Sequence, residues 1–243
     1  MMKLRVIKKV VSPAAGLALV ASATLALAIL AYATPPAPLN FGVHASVFDP
    51  FQTKLVSAEW ENGAGCPTGA KEAIYPTNTI TTYSDPACTT GDPDDHDNKG
   101  LVLAKMGQQA NNAAAGADIT GLDNKISSLT EIGYDIHIGT HCGAGAPRFN
   151  ITTTTGKFYF LGCSSPAPTT FAAGDNWKRL RWGNGTAGSV MGFNPADGFA
   201  LESIADPIKS IQIVFDETGD SSSPPSLAVI DNIDINGVIQ GKP

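Results

Sequence analysis

An all-β sandwich is the fold class this sequence predicts, and three observations predict it. Apolar and polar residues alternate with period two in several segments: Phe41, Val43, Ala45 and Val47 fall on one side of an extended strand, as do Ile132, Tyr134, Ile136 and Ile138, and again Ile211, Ile213 and Phe215. No long window carries helical periodicity; the best short-helix candidate is Asp123–Leu129, one or two turns. The 25 Gly and 17 Pro suit a chain that turns often. About nine or ten short strands between turn signals specify one sandwich or barrel.

The elements follow in chain order. Residues 1–33 read as a signal peptide. Lys3, Arg5, Lys8 and Lys9 form a basic start, an 18-residue apolar run from Ala14 to Ala31 follows, and Ala31-Tyr32-Ala33 is a small-x-small cleavage pattern. An uncleaved membrane anchor is the alternative. Residues 34–38 are a Pro-rich N-terminal segment, Thr34-Pro35-Pro36-Ala37-Pro38, which cannot continue a helix. Residues 39–243 form one β-sandwich domain, with no internal break that resembles a linker. Export is therefore expected, to the periplasm, the cell surface or the medium, with no membrane contact after cleavage.

Removing residues 1–33 leaves 210 residues holding 12 Lys and Arg against 22 Asp and Glu, a formal charge of −10. Such a domain repels phosphate backbones, so nucleic acid is excluded as a natural partner.

Further strands are expected around Leu55–Trp60, Ile80–Tyr83, Gly100–Met106, Trp177–Trp182 and Leu227–Ile239. Residues 148–163 read as a hairpin. With Thr155-Gly156 as a two-residue turn, Ile151 falls opposite Phe160 and Thr153 opposite Phe158, both pairs on one face; a longer loop is the alternative. Loops are expected at Gly91–Asn98, Gln108–Gly116, Ser164–Asp175 and Gly219–Ser226.

The four cysteines are Cys66, Cys88, Cys142 and Cys163. An even count in an exported chain implies two disulfides. Of three possible pairings, Cys66–Cys88 and Cys142–Cys163 are favoured, since each closes a short loop between neighbouring strands.

Three constellations offer chemistry. The polar face of the strand at 131–141 carries Glu131, Asp135, His137 and His141, and two imidazoles with a carboxylate are transition-metal ligand types. Four residues of strand hold the imidazoles about 13 Å apart, so Asp135, His137 and His141 share an ion only across a bend; a solvated face is the alternative. The loop Asp92–Asn98 offers oxygen ligands for Ca²⁺ at Asp94, Asp95 and Asp97, although it lacks the glycine and glutamate of an EF-hand. An Asp-rich turn is the alternative. Trp60, Trp177 and Trp182 are candidate platforms for a sugar ring, whose C–H groups suit a flat π face. Each is also a candidate for the core. G-x-S-x-G, H-E-x-x-H and P-loop patterns are absent from the sequence.

The run Leu227-Ala-Val-Ile-Asp-Asn-Ile-Asp-Ile-Asn-Gly237 resembles the closing strand of galactose-binding-like, jelly-roll carbohydrate-binding modules, in which a hydrophobic pair precedes Asp-Asn or Asp-Asp. That resemblance implies a jelly-roll-like sandwich, a glycan partner and a structural Ca²⁺ near Asp231. The stretch His141–Ile151 resembles a segment of uncharacterised secreted bacterial β proteins and implies no activity. Together they cover about a tenth of the mature chain. The expected function is a non-catalytic extracellular module that binds a glycan or cell-wall polymer. The alternatives are a secreted polysaccharide hydrolase or lyase and a structural surface protein.

Overall fold

Period-two alternation puts one side of each strand in a common core, and the computed structural model builds two sheets around that core. It describes residues 39–66, 68–74, 79–84, 91–92, 94–95, 97–106, 113–122, 125–174, 176–217 and 226–243, with backbone alone for 68–84 and Gly174. The strands among these are β1 (Gly42–Phe48), β2 (Val56–Asn62), β3 (Thr68–Ile74), β4 (Thr79–Ser84), β5 (Lys99–Lys105), β6 (Ala114–Thr120), β7 (Glu131–His137), β8 (Arg148–Thr153), β9 (Phe158–Gly162), β10 (Thr169–Gly174), β11 (Trp177–Gly183), β12 (Met191–Asn194), β13 (Ala200–Ser203), β14 (Ile208–Phe215), β15 (Ser226–Ile235) and β16 (Val238–Gln240). A single 3-10 turn, Pro195–Asp197, is capped by the Asn194 side chain, which accepts from the Ala196 N–H.

The first sheet has the order β1-β6-β14-β8-β9-β12-β13. The second has the order β10-β11-β7-β15-β5-β2, with β16 paired to β15; β3 and β4 pair separately. Val43, Ala117, Phe149, Ile151, Tyr159, Leu161, Ile211, Ile213 and Phe215 from the first sheet share one buried cluster with Leu101, Leu103, Ile132, Tyr134, Ile136, Leu180, Trp182 and Ile230 from the second. Each large apolar side chain buried there contributes roughly 1.5–3 kcal/mol. Tyr134 is wholly buried, and its hydroxyl donates to the Pro147 carbonyl at 2.8 Å, so its polar tip is satisfied.

Several sequence expectations change. The 148–163 hairpin pairs Ile151 with Tyr159, Asn150 with Phe160 and Thr152 with Phe158. Its loop is longer than two residues: the Thr153 N–H donates to the Lys157 carbonyl, and Gly156 adopts φ 87°, which favours glycine. The register therefore slips by one residue, and Phe158 and Phe160 move to the outer face. The expected loop Ser164–Asp175 contains the edge strand β10, and Ala114–Gly116 belong to β6 rather than a loop. Leu227–Ile239 is two strands, split at Asn236-Gly237, whose φ values of 53° and 81° make a tight hairpin turn. Lys125–Leu129 form no helix, and Asp123 lies outside the described residues. Ile138 falls beyond β7 and is exposed.

The Cys142–Cys163 disulfide is formed as expected, Cα to Cα 5.2 Å. This is the one bridge among the described residues; Cys88, and with it the second expected pairing, lies outside them, as do residues 1–38.

Candidate functional site

The outer face of the first sheet is built by register. Cross-strand partners form one rung over all seven strands: His44, Asp118, Gln212, Asn150, Phe160, Phe193 and Leu201. All seven point away from the core, because their sequence neighbours Val43, Ile119, Ile211, Ile213, Phe149, Ile151, Tyr159 and Leu161 point into it. The rung is polar over β1, β6, β14 and β8, and apolar over β9, β12 and β13.

The polar half lines a groove of about 410 Å³ with Ser46, Phe48, Asp118, Arg148, Asn150, Gln212 and Asp216. Gln212 Nε2 donates to Asp118 Oδ1 at 2.8 Å. Arg148 sits where the two halves meet. Its guanidinium grips Asp216 with two bonds of 2.5 and 2.7 Å, and donates to Asn150 Oδ1 at 2.9 Å and to the Gly145 carbonyl at 3.1 Å. Its Cζ lies 5.1 Å from the centre of the Phe160 ring, a cation–π contact.

The apolar half lines a second groove of about 250 Å³ with Phe160, Phe193, Phe199, Ala144, Gly145 and Ser165, and Arg148 borders both. Phe158 packs edge-on against Phe160, and Phe199 lies nearly parallel to it with ring centres 6.1 Å apart. Phe199 is 60% exposed. The wall at 143–147 is pinned by the Cys142–Cys163 disulfide and by the bond that the Ser164 N–H donates to the Gly143 carbonyl at 3.1 Å. A Cβ at Gly145 would meet Glu217 Oε1, so a larger residue there would displace that side chain. Glu217 in turn meets His141 Nε2 at 3.0 Å. The arrangement offers flat rings for stacking beside amide and carboxylate groups that read hydroxyls.

The residues picked out in the sequence lie elsewhere. Trp177 and Trp182 are 5% and 3% exposed, so neither presents a ring to solvent. Trp182 packs on Tyr134 and Phe149, and Trp60 donates to the Val43 carbonyl at 2.9 Å while packing on the core. His137 stands edge-on to Trp177, His141 pairs with Glu217, and Asp135 is buried in a two-pronged bond to Arg179, so these three are not brought together.

Asp94 and Asp97 are exposed, whereas Asp95 and Asp231 are buried. Asp231 accepts from the Cys66 and Asn232 N–H groups, and burial holds its carboxyl well above the usual range. Asp95 Oδ2 accepts from the Lys99 N–H; burial pushes this carboxyl up to about 6. Asp95 Oδ1 and Asn98 Oδ1 are buried without a donor. Among the described residues, no group of three His, Cys, Asp or Glu side chains is placed to hold a metal ion.

Sequence reasoning missed Phe160, Phe193, Phe199, Arg148 and Asp118. One signal was present. Phe158-Tyr159-Phe160 puts aromatic rings on both faces of a strand in any register, so one face had to display them.

No family model matches the chain, and no curated protein matches it. Among solved structures, the chain is similar to a family 11 carbohydrate-binding module from Clostridium thermocellum in complex with a β-1,3-1,4-mixed-linked tetrasaccharide. Identity is 14%, over 81% of this chain and 88% of that one, with a TM-score of 0.37. It is also similar to the family 11 module of a cellulosomal cellulase from the same organism, at 13% identity over 83% and 90%, TM-score 0.35. At that distance the likeness carries no argument about function, which rests on the groove itself.

Proposed function

We propose that this chain is a non-catalytic extracellular glycan-binding module, jelly-roll-like in topology, that holds a polysaccharide along the outer face of the first sheet. One observation carries the reading: the seven-strand rung that passes from His44, Asp118, Gln212 and Asn150 to Phe160, Phe193 and Leu201, with Arg148 fixed between the halves. Four strand spacings separate His44 on β1 from Phe160 on β9 along the rung, about 19 Å. A sugar unit is about as long as one spacing, so the grooves suit a chain of several units. Asn150 Nδ2 and Gln212 Oε1 remain open to a ligand, and sugar hydroxyls both donate and accept.

The carboxylates nearest the grooves support binding over hydrolysis. Asp216 is held by Arg148 and Glu217 by His141, so Asp118 is the one open acid in the grooves among the described residues and has no second acid facing it. The Cys142–Cys163 disulfide suits an oxidising compartment, in keeping with export. Affinity electrophoresis through gels holding soluble polysaccharides tests the reading. Retardation on at least one polymer, lost in Phe160→Ala with the fold intact, is the expected result; free migration through every polymer contradicts it.

A bound Ca²⁺ would supply the partner that Asp95 Oδ1 and Asn98 Oδ1 lack. Calorimetric unfolding with and without EDTA tests this second, structural proposal, and an unchanged midpoint contradicts it.

A further inference from the structure

We infer that the groove selects uncharged polysaccharide and excludes carboxylated or sulfated chains, with Asp118 as the residue that sets the choice. The inference rests on the glycan-binding reading of the same face. Three charged side chains line the two grooves among the described residues: Asp118, Asp216 and Arg148. Arg148 and Asp216 answer each other through two short bonds, the other donors of Arg148 go to Asn150 and Gly145, and the charge of Lys105, which also acts on Asp216, is buried beneath the sheet and out of a ligand's reach. Among the described residues, no cation pairs with Asp118. Its Oδ1 accepts from the neutral amide of Gln212, while His44 of β1 stands opposite it on the other side. Beyond the wall, Glu217 adds a second carboxylate, held by His141 against Gly143 and Gly145.

An anionic sugar laid on this rung would bring its charge against Asp118 and meet no open cation. Like charges pressed together on a partly dehydrated surface oppose binding. The surplus of 22 Asp and Glu over 16 Lys and Arg in the chain acts in the same sense at longer range, within a Debye length of about 10 Å at 0.1 M salt. A neutral sugar meets the opposite situation. Its hydroxyls donate to the Asp118 carboxylate in charge-assisted bonds, and Asn150 and Gln212 offer a donor and an acceptor alongside.

The test uses polymers that share a backbone and differ in charge: hydroxyethylcellulose with carboxymethylcellulose, and dextran with dextran sulfate. Binding is measured by affinity electrophoresis and titration calorimetry in low salt at about pH 8, above the ordinary imidazole range. The expected result is at least about tenfold weaker binding of the anionic member, a gap that shrinks as salt rises. Asp118→Asn, which keeps the acceptor and removes the charge, should close most of the gap by tightening binding of the anionic member, with an unchanged melting midpoint. Wild-type protein that binds the anionic member as tightly as the neutral one overturns the inference. A gap that Asp118→Asn leaves in place overturns the role of Asp118. Were that variant to misfold, a salt-independent gap in the wild type would do the same. If neither member of any pair binds, the glycan-binding reading itself fails, and charge selection falls with it.

Discussion

The outer faces of the two sheets carry comparable polar residues and put them to opposite uses. On the second sheet, Asp135 of β7 pairs with Arg179 of β11, Arg181 lies two residues further along β11 opposite Gly133, and a bulge in β15, where Asn232 adopts φ 48°, brings both Asp231 and Asp234 to the same side. These groups, all buried but the half-buried Arg179, are bonded to one another: Asp135 to Arg179 at 2.8 Å, Arg181 Nε to Asp234 at 2.9 Å, Asn232 Nδ2 to Asp135 at 3.0 Å. The segments at 65–66, 91–92 and 241 close over them through bonds to Asp231, Asn232 and Asp92. On the first sheet, His44 and Gln212 are exposed, Asp118 and Asn150 are half-buried, and amide groups stay open. A polar face that is covered and internally bonded holds the fold together. One that stays open beside flat rings is available to a ligand.

Substitutions in the second sheet should therefore act on stability and spare binding. Asp135→Ala takes the two-pronged partner from half-buried Arg179 and leaves buried Arg181 with Asp234 alone among the described residues, and a loss of about 3–5 kcal/mol is expected in urea unfolding. Glycan affinity of the folded fraction should be unchanged. Phe160→Ala sharpens the contrast from the other side. It should weaken glycan binding about tenfold or more while costing less stability than Asp135→Ala, because Phe160 is only half-buried.

Arg148→Lys keeps the charge and loses the planar fork that holds Asp216, Asn150 and Gly145 in place. A severalfold drop in affinity and about 1 kcal/mol of stability are expected, measured by calorimetry and thermal melting. The smallest effect is a pH dependence. Burial raises the Asp95 carboxyl to about 6, above its unfolded value, so the native state holds the proton more tightly. Its contribution to stability is fully present below about pH 4 and is lost as pH rises through 6. Asp231 and Glu131, both raised by burial first, act in the same direction. In EDTA, Asp95→Asn should flatten this part of the profile and gain about 1 kcal/mol at pH 7. A profile that keeps its slope in the variant assigns the effect to another group.

Much of the fold was legible because a strand with one buried face must alternate. The patterns at 132–136 and 211–215 have their apolar side in the core, as do Phe41 and Val43 of the first pattern, whereas Ala45 is half-buried and Val47 is 54% exposed where β1 runs out past the core. The groove was not legible, for a reason that turns on one residue. Reading Thr155-Gly156 as a two-residue turn put Phe158 and Phe160 on the same face as Ile151, in the core; the longer loop shifts the pairing and sends both rings outward. The tryptophans drew attention as the larger rings, yet size favours the core, and two of the three are almost wholly buried. Asp118, Gln212 and Asn150 are far apart in sequence and meet only through the pairing of β6, β14 and β8. The acidic positions at 94, 95 and 97 looked like one cluster, but the chain turns Asp95 inward and leaves its neighbours in solvent.

The central claim is that ligand binding belongs to the outer face of the first sheet. The most direct measurement is affinity electrophoresis of the wild type, of Phe160→Ala/Phe199→Ala and of Asp135→Asn across a panel of neutral soluble polysaccharides, with each variant's melting curve taken alongside. Retardation of the wild type and of folded Asp135→Asn, and its loss in the double phenylalanine variant, is the predicted result. Retardation that survives removal of both rings, or none on any polymer, contradicts it.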